Sequence, residues 1–237
     1  MTRTTYRLIG RGIYAISEAS RLTKVSHRTI RRWIMGYHYA VAGDIRKSPP
    51  VVDRDFPVID GSVVLSFLDL QEIRFVYAFR QKGVSWKEIR QAYISARSEL
   101  GDPHPFSTGR FLTDGHSVLQ EQLGAHRRTA FLNIIRNQFE FRRIVAPFIK
   151  ELEFGTPKHL DAARQPIRWW PTEGRRRIVL DPGLNFGQAS LSKEGVPTAV
   201  LAQAYAVEQS FDRVARWYEL TSSAVRIAVE FEQQLAA

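Results

Sequence analysis

The sequence contains no cysteine among its 237 residues. That excludes a disulfide framework, thiolate zinc sites and a cysteine nucleophile, and it is compatible with a reducing compartment. No apolar run approaches the roughly 18 residues that a membrane helix requires, and no apolar stretch follows Arg3 and Arg7, so neither a span nor a secretory signal is expected. A cytoplasmic protein is the expectation. The six histidines are scattered, with no pair at i, i+4, and no metal is expected. The chain also lacks a G-x-S-x-G elbow, a P-loop, an H-E-x-x-H pair and a dinucleotide fingerprint after a strand, so neither an enzyme nor a cofactor is expected. The closest imitation, "GLNFG" at 183–187, lacks the Lys-Ser/Thr of a phosphate cradle and reads as a turn. Asp102, Asp114 and Asp181 each adjoin Gly or Pro, where a carboxylate commonly fixes its own turn, and His104 and His116 are read the same way.

What is present is positive charge, and it is unevenly spread. The net charge is +10, and residues 1–50 alone carry ten Lys/Arg against two acids. Residues 51–171 balance at +3 and residues 172–237 at −1. Concentrated cations without a membrane helix point to nucleic acid, because phosphate contacts release condensed counterions. Hydrophobic content of 44% with 24% charged residues is that of an ordinary folded protein, and the length allows more than one domain.

The cationic end has a recognisable outline. Ser17 is placed to cap a first short helix with Ala19 and Leu22 inward, Lys24-Val25 makes a turn, and Ser26 is placed to cap a second helix. In that second helix Ile30, Trp33, Ile34 and Tyr37 recur at helical spacing and are predicted to face the core. His27, Arg28, Thr29, Arg31 and Arg32 remain for the outer surface, and arginine's planar fork suits both guanine edges and phosphate. Two short helices three residues apart are the pattern of a helix-turn-helix. Residues 38–64 read as a twisted hairpin or wing with β-type runs at 49–52 and 63–66, and Arg46 and Lys47 near its tip are predicted to meet phosphates. A helix capped by Asp69 and ended by Gly83, then another started by Ser85 with Trp86, Ile89 and Tyr93 inward, complete this part.

From 101 to 180 the pattern predicts a small sheet. Asp114-Gly115 is a hairpin signal, and the runs at 144–149, 167–170 and 177–180 read as strands broken by prolines. Three helices are then predicted, from Thr198 to about Gln209, from Ser210 to about Tyr218 and from Ser222 to about Leu235. From Ile178 to Ala237 there are four Lys/Arg and seven acids, a poor surface for a polyanion, so this end is expected to meet a protein. Arg213, Trp217, Tyr218, Arg226 and Phe231 are its candidate partner-binding residues.

Two resemblances accompany these patterns. "AISEASRLTKVSHRTIRRW" is similar to the MerR-type winged helix-turn-helix, with Ala19, Val25, Ser26, Thr29, Ile30, Arg31 and Trp33 taking the pattern's places in order at locally shifted spacing. "DLQEIRFVYAFRQKGVSWKEIR" resembles the helix pair that follows in that family, and the likeness covers roughly residues 7–95. Residues 176–231 resemble domain-of-unknown-function family 433, small antitoxin domains found beside PIN-like ribonuclease toxins. The matching features are the Asp181-Pro182 start, the Gly195-Val196-Pro197-Thr198 turn, and Ser210, Val214, Ala215 and Tyr218 on one helix. The combination resembles the long VapB-type antitoxins. That resemblance implies an α+β chain with three parts: a MerR-like DNA-binding domain over 1–100, a β-rich connecting or dimerisation region over 101–175, and a three-helix antitoxin domain over 176–237. It further implies a homodimer that binds operator DNA, represses its own operon and neutralises a PIN-like toxin. Two alternatives stay open: a stand-alone MerR-like regulator sensing a small molecule, and a nucleic-acid-processing enzyme using Asp102, His104 and Asp114.

Overall fold

A computed structural model describes residues 8–59, 61–109, 111, 138–156, 164–172 and 176–236. The fold is α+β, with an N-terminal helix-turn-helix, small antiparallel sheets and a helical C-terminal unit. The Asp114-Gly115 hairpin reading lies outside the described residues.

Strand β1 (Tyr14–Ala15) runs straight into helix α1 (Ile16–Thr23), whose N-cap is Ala15 with no side-chain cap. Ser17 is therefore inside the helix, because pairing of β1 with β5 (Ser62–Leu65) fixes the entry of the chain one residue earlier. Lys24 takes a left-handed turn at φ 57°, and Ser26 caps α2 (His27–Met35) as its sequence position predicts, accepting from the Thr29 amide. Gly36 ends α2 at φ +72°. A Cβ there would lie 2.4 Å from the Ser48 carbonyl oxygen, so only glycine lets the hairpin strands β2 (Tyr37–Val41) and β3 (Asp44–Ser48) start this close to the helix. The run 49–52 forms no strand. The second short strand is β4 (Val58–Ile59), which completes the order β1-β5-β4.

Helix α3 (Phe67–Gln81) is capped by Ser66, with Asp69 returning the contact from the third helical position; the predicted cap is the other half of a capping box. Helix α4 (Trp86–Leu100) opens on the same device, Ser85 with Glu88. The run 144–149, predicted as a strand, lies inside helix α5 (Gln138–Glu151), with Pro147 within it. Ile144, Val145 and Phe148 are buried at helical spacing, and the Phe148 ring stacks on Phe75 of α3 at 3.8 Å, so packing on α3 prevails over the proline's local preference. Strand β6 (Leu152–Phe154) pairs with β7 (Pro166–Trp169), and β8 (Ile178–Val179) with β9 (Ser190–Leu191).

The C-terminal unit is α6 (Thr198–Glu208), α7 (Phe211–Trp217) and α8 (Ser222–Ala236). Ser210, where the second of these helices is expected to begin, is the N-cap of α7, whereas the N-cap of α6 is Pro197 and Thr198 is its first residue. The Thr198 hydroxyl instead spans to the Glu232 carboxylate at 2.5 Å. Helix α8 has two apolar faces. Ala224, Val225, Ala228 and Val229 fill the three-helix core, while Phe231, Ile227 and Leu235 pack into the larger core built by the N-terminal half. Arg21 pairs with Glu232 at 2.6 Å, and Lys24 Nζ donates to the Gln234 carbonyl at 2.7 Å. These contacts tie the end of the chain to α1.

Candidate nucleic-acid interface

The amphipathic split of α2 holds for three of the four predicted core residues, whereas Tyr37 falls beyond Gly36 in β2 and is half-buried. Ile30, Trp33 and Ile34 are buried, and His27, Arg28, Arg31 and Arg32 are exposed, with Thr29 half-buried because its hydroxyl accepts from Ser26 at 2.7 Å. Trp33 packs on Trp86 of α4, ring centroids 4.9 Å apart, which fixes the outward direction of the arginines. Arg32 lies over the Tyr37 ring at 4.7 Å and so points toward the hairpin. The hairpin pairs Tyr37 with Ser48 through Val41 with Asp44, and four of the five residues on each strand are exposed. Arg90 of α4 holds its base, donating to Ser48 Oγ at 3.1 Å and to the Pro49 carbonyl at 3.0 Å. Arg46 and Lys47 are exposed beside Ile45, which is 79% exposed.

The structure thus places His27, Arg28, Arg31 and Arg32 on the exposed face of α2 and Arg46 and Lys47 on the exposed β3 strand of the hairpin that follows. Among the described residues, none of Arg28, Arg31, Arg32, Arg46 and Lys47 pairs with a carboxylate, whereas Arg11, Arg21, Arg74, Arg97, Arg168, Arg177 and Arg213 all do. Cations left without counter-charges are those that gain most by meeting phosphate.

The five candidate partner-binding residues are not brought together. Trp217 is 65% exposed, but Phe231 is buried in the junction of α8 with the N-terminal core and is not available to a partner on the surface. Arg226 lies over the Phe211 ring at 4.3 Å, Arg213 pairs with Glu208 at 3.4 Å, and Tyr218 packs half-buried against the three-helix core. Val207 and Val200, on the exposed side of α6, were not foreseen as surface apolar residues.

Asp102 and Asp181 fix turns as their neighbours suggest: Asp102 accepts from the His104 amide at 2.8 Å and Asp181 from the Gly183 amide at 2.8 Å. His104 does more. Its buried ring lies beside Asp55, Asp69 and Glu72, with Nε2 3.0 Å from Asp55 Oδ1 and Nδ1 3.8 Å from Asp69 Oδ1. The 3.0 Å contact is an ion pair, and neither ring nitrogen is satisfied by a hydrogen bond of good geometry. Burial pushes Glu72 up to about 8 and Asp69 up to about 6. Burial alone would lower His104, but Asp55, Glu72 and Asp69 raise it to about 9. Burial likewise opposes ionisation of Asp55, yet His104 and Arg11 prevail and hold it at about 2. The four residues come from three separate segments, so only Asp69 and Glu72, at i, i+3 on one helix, leave a local sequence signal.

Asp55 also lines a cleft of about 560 Å³ bounded by Arg11, Phe67, Gln165, Ile167 and Asp181. Arg11 pairs with Asp55 at 2.5 Å at its wall.

The cationic surface lies within residues 12–93, which match the family described as "Putative DNA-binding HTH domain". Over nearly the whole chain the sequence is similar to "Putative antitoxin VapB45" of Mycobacterium tuberculosis (strain ATCC 25618 / H37Rv), 26% identical over 228 residues that cover 92% of each chain. The crystal structure of Rv2018 from Mycobacterium tuberculosis shares the fold, with a TM-score of 0.70 at 24% identity, covering 96% of this chain and all of that one. Among the described residues, no helix is long and apolar enough to cross a membrane.

Proposed function

We propose that the protein is the antitoxin of a type II toxin-antitoxin pair: a non-enzymatic, MerR-like homodimer that binds operator DNA, represses its own operon and neutralises a PIN-like ribonuclease toxin. The observation that carries this reading is the set of unpaired cations on α2 and the β2–β3 hairpin. Helix α2 presents Arg28 and Arg31 toward a major groove, and Arg32, Arg46 and Lys47 flank it for the backbone. The exposed Ile45 at the hairpin tip, between cations and a turn, suits an apolar wedge at an adjacent minor groove. The C-terminal unit repels polyanions and offers Trp217, Val207 and Val200 to a protein. Similarity to a protein named as an antitoxin supports the toxin half of the reading.

Co-expression with the product of the adjacent reading frame tests it. The expected result is a co-purifying pair that retards the operon's own promoter DNA and in which the partner's ribonuclease activity is suppressed; a partner that neither binds nor loses activity contradicts it. The cleft beside Asp55 favours a second reading, a regulator that senses a small molecule, and a DNA affinity shifted by such a ligand without any toxin partner would select it.

A further inference from the structure

We propose that Asp55, Asp69 and His104 form a binding site for one divalent transition-metal ion, with Glu72 beside it, at the inner end of the cleft behind Arg11. One ring nitrogen of His104 and one carboxylate oxygen from each aspartate lie within 4.8 Å of one another. Ligand atoms around a tetrahedral ion at bond lengths of about 2.0–2.2 Å stand about 3.4 Å apart, so small side-chain rotations close the site. The donors come from three segments: the loop before β4, the first turn of α3 and the loop after α4.

Each donor is already aimed by the backbone. The Ser66 amide holds Asp69 Oδ2 at 2.9 Å, the Ser107 amide holds Glu72 Oε1 at 2.8 Å, and Asp102 fixes the His104 amide at 2.8 Å. Such outer contacts orient ligands around metals. What they leave inward has no donor: Glu72 Oε2 and Asp55 Oδ2 are buried without a hydrogen bond, and so are both nitrogens of His104. Glu72 is fully buried and near enough to His104 for each to alter the other's charge. An unsatisfied carboxylate oxygen in a protein interior is costly unless something positive faces it.

Charge counting points the same way. With His104 neutral, as a metal ligand must be, the three carboxylates once ionised exceed the single positive charge of the half-exposed Arg11 by two. A divalent cation cancels that excess. One imidazole with carboxylates suits zinc or manganese rather than calcium, which takes an all-oxygen set. The cleft supplies the path, since Asp55 stands on its wall.

The test uses the full chain, stripped with EDTA and returned to chelator-free buffer, then titrated separately with Mn2+ and Zn2+. The expected result is one equivalent of bound metal by elemental analysis after dialysis for at least one of the two ions. At about a hundredfold excess over the dissociation constant, the melting midpoint rises by about 5–10 °C. Asp55→Asn, at the cleft wall, weakens binding at least tenfold. Because that variant could lose its fold, substoichiometric Mn2+ added to the unsubstituted protein gives an independent reading: the His104 ring signals broaden in the NMR spectrum. Less than half an equivalent with both ions, a folded Asp55→Asn that binds the retained ion within twofold of the parent, or His104 signals that neither broaden with Mn2+ nor shift with Zn2+ would each overturn the proposal. None of these readouts involves DNA or toxin.

Discussion

The Tyr14 hydroxyl donates a 2.7 Å hydrogen bond to the Gly187 carbonyl, joining residues 173 apart in sequence. The bond is buried and links β1, at the entrance to the helix-turn-helix, with the turn that precedes the C-terminal unit. Gly187 has φ +90°, and a Cβ there would lie 2.4 Å from the Tyr14 oxygen, so the close approach requires glycine.

Tyr14→Phe strands the Gly187 carbonyl and is expected to cost about 1–3 kcal/mol near neutral pH, read from denaturant midpoints. Burial, followed by Glu18 and Asp181, raises the Tyr14 hydroxyl well above its ordinary range. The unfolded chain therefore releases this proton first as pH rises, and the contribution of the protonated phenol, whole below about pH 10, is lost above it. The stability gap between the parent and Tyr14→Phe should shrink in alkaline buffer; a gap that widens contradicts the assignment.

Gly36 has φ +72° and ψ −176°, a region open essentially to glycine. Gly36→Ala adds the 2.4 Å clash with Ser48 and is expected to destabilise by about 1–3 kcal/mol or more. Hydrogen exchange should show the β2–β3 amides losing protection before those of α3, since the hairpin hangs from this residue.

Arg74 is buried between the rings of Trp169, at 3.9 Å, and Phe148, at 4.8 Å, and pairs with Glu151. Burial lowers its pKa to about 10, with Glu151 opposing the shift. Arg74→Ala removes the partner of Glu151 and is expected to cost about 3–5 kcal/mol, whereas Arg74→Met with Glu151→Gln recovers most of it because no charge is left alone and the Gln carbonyl still accepts from the Trp169 indole. A double-mutant cycle measures the difference. Additive losses would mean that the pair does not act as one unit.

Trp217→Ser removes the largest exposed apolar side chain of the C-terminal unit without touching either core. Affinity for the partner is expected to fall about 10–100-fold while promoter binding stays unchanged. Deleting 178–237 would be a poorer test, because Phe231, Ile178 and Leu180 belong to the core that supports α2.

Local chemistry made the N-terminal half legible. Ser26 and Ser85 announce helix starts, Asp69 marks the first turn of α3 although Ser66 is its N-cap, and the spacing of Ile30, Trp33 and Ile34 separates the buried face of α2 from its arginines. Where tertiary packing decides, the sequence misleads. The apolar run with Pro147 has the length of a strand, and its helical form depends on Phe75 and Phe148 meeting across two helices. Phe231 lies at helical spacing beside Ala224 and Ala228 of the three-helix core, and nothing local shows that it joins the larger N-terminal core instead. His104 looks like a turn residue in the sequence because its partners at 55, 69 and 72 are brought to it only by the fold.

The central claim is that the unpaired cations of α2 and the β2–β3 hairpin grip DNA. The most direct measurement is a mobility-shift titration of the operon's own promoter from 50 to 200 mM salt, comparing the parent with a variant carrying Arg28→Ala, Arg31→Ala, Arg46→Ala and Lys47→Ala. At about 0.9 per phosphate contact, the slope of log affinity against log salt should become shallower by about 3–4 in the variant, with weaker binding at every salt concentration. A parent that fails to retard the fragment at 50 mM salt, or a variant with an unchanged slope, would contradict it.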